Sequence, residues 1–153
     1  MGKINLGRVI LGGLVAGVVI NLFEGIFNAV VLKQEMESAL TALRLNPAFS
    51  TKQIAFFTVA GFAIGILLVL TYALMRPRLG AGVNTALCAG ALVWAVGNAI
   101  PNSFNAVMHV FPLALLLKGT AVGLVETLIA AVAGAALYKE DGAPQTMSAG
   151  GGR

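Results

Sequence analysis

Asn21, Glu24 and Asn28 stand at i, i+3 and i+7 of one apolar stretch, so a helix carries all three on one face. Asn98, Asn102 and Asn105 stand at i, i+4 and i+7 of another, and Lys118 and Glu126 lie two turns apart in a third. Carboxylates offer oxygen to a cation or do acid–base work, and amides can both donate and accept hydrogen bonds. In hydrocarbon such groups are costly, so they face a bundle interior, pair with one another, or line a path for a solute. The same eight residues therefore support two readings. They form a site for a small polar or cationic solute, or they are packing glue between helices.

Other chemistry lacks its residues. His109 is the only histidine and Cys88 the only cysteine, so one chain cannot assemble a bis-histidine haem or a zinc site. No phosphate-cradling glycine loop with Lys-Ser or Lys-Thr occurs, and no nucleophile elbow. Glu24 and Glu126 have no nucleophile, metal set or cofactor motif beside them, so a non-enzymatic role without cofactors is expected. A lone cysteine forms no intramolecular disulfide, and Cys88 reads as a small buried packing residue. His109 reads as an exposed loop residue rather than a proton relay.

The elements that position these residues follow from composition. Hydrophobic residues make up 58% of the 153 and charged residues only 10%. A soluble domain is about 25% charged, so the chain lacks the polar surface that water demands. Its net charge of +4 comes from single cations at the ends of apolar runs, not from a clustered patch, so nucleic acid is not an expected partner. The fold class expected is all-α integral membrane: a four-transmembrane-helix bundle with the lipid bilayer as partner.

A helix rises about 1.5 Å per residue and a hydrocarbon core is about 30 Å thick, so roughly 20 residues span it. Four runs qualify, about 9–32, 54–75, 84–107 and 112–138, in a single domain over 1–138. The basic start before the first run resembles a secretory signal without a cleavage site, so the first span is expected to double as the targeting signal. Between spans one and two, Met36, Leu40 and Leu43 recur at helical spacing, which predicts a short amphipathic surface helix over 33–45. Ser50 with Gln53 is a capping-box pattern for the second span, and Arg76-Pro77-Arg78 is expected to stop it. Pro101 should kink the third span, and Pro112 suits the start of the fourth. The Gly-, Ala- and Ser-rich stretch 139–153 reads as a disordered cytoplasmic tail.

Lys3, Arg8, Arg76, Arg78, Lys139 and Arg153 fall on the side of the termini, against Lys33, Arg44 and Lys52 on the other, which puts both termini in the cytoplasm. In size and layout the chain resembles small four-span bacterial proteins, which implies the bacterial inner membrane. No motif ties it to one family.

The first and third spans echo each other. Phe27-Asn28-Ala29-Val30 recurs as Phe104-Asn105-Ala106-Val107, and Asn21 and Gly13 match Asn98 and Gly90 at the same 77-residue offset. Gly61 and Gly65 echo Gly119 and Gly123 more weakly, which suggests a duplicated helical hairpin. The G-x-x-x-G pairs Gly13–Gly17, Gly61–Gly65 and Gly119–Gly123 offer close helix contact, within the chain, in a homo-oligomer or in a larger membrane complex. By helix rise, Asn21, Asn98 and Glu126 each lie roughly 20 Å from the cytoplasmic ends, and Glu24 and Lys118 about 9–14 Å below the outer surface. An Asn21–Asn98–Glu126 layer and a Glu24–Lys118 pair are the expected arrangement.

Overall fold

The computed structural model describes residues 4–140 and is all-helical over them. Four helices are long and apolar enough to cross a membrane, the layout of a multi-pass membrane protein: α1 (Leu6–Val31), α3 (Thr51–Leu79), α4 (Val83–Val107) and α5 (Leu113–Ala136). The short α2 (Lys33–Ala42) lies between α1 and α3. The expected tail falls outside the described residues from 141 onward, as does Lys3; Glu140 pairs with Arg76 at 3.7 Å.

Local chemistry sets the helix ends. The Asn5 side chain caps α1 by accepting from Arg8 N–H at 2.9 Å. Ser50 and Gln53 form the reciprocal capping box at the start of α3. Pro77 does not stop α3, which runs two residues further to Leu79. The proline gives up one hydrogen bond to the turn before it, at Ala73 O, while the residues after it keep their own donors, and Gly80 N–H still donates to Arg76 O. Gly80, at φ 84°, ends the helix in a conformation that side chains disfavour.

Two turns are wider than α. Leu32 N–H donates to Phe27 O and Ile100 N–H to Ala95 O, each five residues back, so Phe27–Val31 and Ala95–Ala99 are π turns. The second ends two residues before Pro101, whose ring nitrogen cannot donate to Gly97 O in the turn before it. The first has no proline and no signal in the sequence.

Small residues bring the helices together. A Cβ on Gly13 would lie 2.5 Å from Ile66 Cα, and one on Gly17 2.8 Å from Phe62 Cα. Gly65 has no more room, because it faces the Gly13 carbonyl and the Gly17 backbone. Gly12 and Gly134 form the equivalent close approach of α1 to α5. Ala16, Leu68, Val69, Ala86, Ala89 and Ala130 fill the centre. Two of the G-x-x-x-G pairs thus close against each other inside the chain. Large apolar side chains such as Leu22, Phe56, Leu67 and Val96 point outward, as does Cys88. The cysteine is therefore not the buried packing residue expected, because α4 turns its alanines and Gly90 inward instead.

The contacts repeat. Gly13 packs on Ile66 and Gly90 on Leu128; the Asn21 amide lies against Gly61 and the Asn98 amide against Gly123. The first members of these pairs are 77 residues apart and the second members 62. That register aligns Thr58-Val59-Ala60-Gly61 with Thr120-Ala121-Val122-Gly123, and replaces the match of Gly61 and Gly65 with Gly119 and Gly123. The offset falls by 15 residues because the first connection carries α2.

Candidate functional site

The α1 side of the site begins at Glu24 and Asn28, one helical turn apart. Asn28 Nδ2 donates to the Glu24 carbonyl at 2.8 Å and to Glu24 Oε2 at 2.6 Å, which holds the carboxylate in place. Asn28 sits inside the first π turn, where local widening re-aims side chains and often marks functional positions.

Across from it, α4 contributes Asn98, Asn102 and Asn105. Asn98 lies in the second π turn. Asn102 Nδ2 donates to Asn98 Oδ1 at 3.1 Å and to Thr120 Oγ1 at 2.8 Å, and Trp94 Nε1 donates to Thr120 O at 2.9 Å. Asn105 Nδ2 donates to Pro101 O at 3.1 Å. Thr120 and Trp94 thus fix the amides, a role the sequence reading missed. The only signal in the sequence was the Thr58/Thr120 match of the repeat.

From α5 comes Glu126, 5% exposed and without a hydrogen-bond donor among the described residues. Glu24, Asn28, Asn98, Asn102, Asn105 and Glu126 line one cavity of about 180 Å³. Gly119 lines it too, and a Cβ there would meet open space. The rest of the wall is apolar, with Phe27, Leu32, Met36, Phe111 and Leu115 among it. No Lys, Arg or His lines the cavity. The amides of Asn28, Asn102 and Asn105 use their N–H groups within the bundle. Their oxygens accept nothing from other described residues, so the cavity presents these acceptors beside the Asn98 amide, whose oxygen is taken by Asn102 and whose Nδ2 is left to donate.

Two of the eight expected site residues stand elsewhere. Asn21 Nδ2 donates to Gly17 O at 2.8 Å and to Thr58 O at 3.2 Å, so it staples α1 to α3 and joins no layer with Asn98 and Glu126. The missing side chain of Gly61 leaves the space this amide fills. Lys118 pairs with Glu35 of α2 at 2.5 Å rather than with Glu24. Glu35 is reachable because α2 folds back on the bundle: Leu32, Ala39 and Leu115 are buried together, with Phe27, Met36 and Phe111 against them. The surface helix therefore roofs the cavity, with Leu40 buried and Leu43 exposed. His109 is exposed in the α4–α5 connection.

Among the described residues, no three His, Cys, Asp or Glu side chains gather to hold a metal ion. What the cavity can do is accept hydrogen bonds, donate from Asn98 Nδ2 and offset positive charge. No protein-family model, curated protein or solved structure matches the chain.

Proposed function

We propose that this is a non-enzymatic, multi-pass protein of the bacterial inner membrane, with both termini cytoplasmic. Its intrabundle cavity binds or passes a small polar or cationic solute. One observation carries this reading: two carboxylates and four amides converge on a cavity that no cationic side chain enters. Packing glue alone gives each polar group a partner from a neighbouring helix, as Asn21 has. Glu126 has none among the described residues. The cavity lies towards the α2 end of the bundle, which the cation bias assigns to the outer side.

Gly119→Leu tests this directly, because Gly119 lines the cavity and a Cβ there meets no atom within 4 Å. Purified wild-type protein should melt higher with at least one of sodium, potassium, ammonium, tetramethylammonium or glycerol, as a bound ligand stabilises the folded state. The folded variant should lose that shift. No shift with any probe, in either protein, would overturn the reading.

A second reading, an accessory subunit of a larger membrane complex, has one observation of its own. Gly25 and Gly97 are exposed, with nothing against them, and a foreign helix could pack there. Stoichiometric co-purification with other subunits, lost on Gly97→Leu, would favour it over a protein that stands alone as a homo-oligomer.

A further inference from the structure

The cavity wall is divided. Glu24, Glu126 and the amides of Asn28, Asn98, Asn102 and Asn105 make one part, and Phe27, Leu32, Met36, Phe111 and Leu115 make the other. A ligand that uses only the polar part leaves the apolar surface against water or empty space, which loses contact energy. A bare alkali ion does that. A divalent metal wants six or more oxygens in a close shell, and among the described residues no three His, Cys, Asp or Glu side chains gather to anchor one. A neutral polar solute brings no counter-charge to buried Glu126, which then avoids a bare charge only by keeping its proton.

Size points the same way. A cavity of about 150 Å³ accepts benzene, so about 180 Å³ accommodates an organic ion of several heavy atoms. Two aromatic rings in the wall favour a cation whose charge is spread over alkyl groups, because ring faces attract such ions. Glu126 is the anchor: it is almost wholly buried, lines the cavity and accepts no hydrogen bond from the described residues. Glu24 is already held by Asn28 and supplies the second negative charge.

We infer that the cavity's ligand is a small organic cation, an ammonium ion bearing short alkyl groups, with its charge at Glu126 and its alkyl part against Phe27 and Phe111. This rests on the solute-site reading and narrows it.

Full-length protein in lipid nanodiscs is titrated with choline, tetramethylammonium, sodium, potassium and 3,3-dimethyl-1-butanol, the uncharged isostere of choline, with melting temperature as readout. Choline or tetramethylammonium should bind at least tenfold more tightly than either alkali ion and than the neutral isostere. Phe111→Leu and Phe27→Leu, two conservative variants so that one folding failure is not decisive, should each weaken choline binding several-fold. Alkali ions binding as tightly as choline would overturn this inference and leave a cation site standing. Equal binding of the isostere would overturn it in favour of a neutral solute. Unchanged choline affinity in both folded Phe variants would overturn the placement of the alkyl part. Failure of every probe would remove the solute-site reading itself.

Discussion

Lys118 Nζ stands 2.5 Å from Glu35 Oε1, and this ion pair ties the first turns of α5 to the surface helix α2. It is the one link between α2 and the bundle that is not apolar among the described contacts. Both side chains are about half exposed, so the pair adds little to global stability; exposed pairs measure about 0–1 kcal/mol. Its effect should be local. Glu35→Gln is predicted to leave the melting temperature within a few degrees while amide exchange across 33–42 speeds up several-fold. Unchanged exchange would mean that Leu32, Ala39 and Leu115 hold the helix unaided.

Helix contact gives the second prediction. Gly65 faces backbone, so Gly65→Ala must push α1 and α3 apart and should cost about 1–3 kcal/mol. Gly119 faces open space, so Gly119→Ala should instead stabilise α5 by about 0.5–1 kcal/mol. Similar melting temperatures for the two variants would contradict the tight α1–α3 seam.

The orientation is testable by labelling. In a Cys88→Ser background, needed because Cys88 is exposed, a cysteine at Ser38 should react with an impermeant thiol reagent in intact cells. One at Ala81, in the α3–α4 connection, should be protected. The opposite pattern would invert the topology, and equal labelling would remove a span.

Most of the architecture was legible because apolar run length and helix capping act locally. The four long helices and the Ser50–Gln53 box needed no knowledge of neighbours. Periodicity likewise put Glu24 with Asn28 and Asn98 with Asn102 on common faces. Relations between helices were less accessible. Equal depth grouped Asn21 with Glu126, but depth says nothing about rotation, and Gly61 turned that amide towards α3. Lys118 found Glu35 because α2 folds back over the cavity, a tertiary event with no marker in the spacing. The repeat register at 62 emerged only from which glycine each asparagine touches. The π turn at Phe27–Val31 has no sequence signature, whereas the one at Ala95–Ala99 ends two residues before Pro101.

The central claim is that Glu126 belongs to a solute site and is not packing glue. Glu126→Gln keeps size and hydrogen-bonding capacity and removes the charge. Melting temperature is measured with and without saturating tetramethylammonium, for wild type and variant in parallel. The prediction is a variant at least as stable as wild type without ligand, with the ligand-dependent rise reduced by more than half. A folded Glu126→Gln protein showing the full wild-type rise would contradict the claim and leave the polar residues as helix packing.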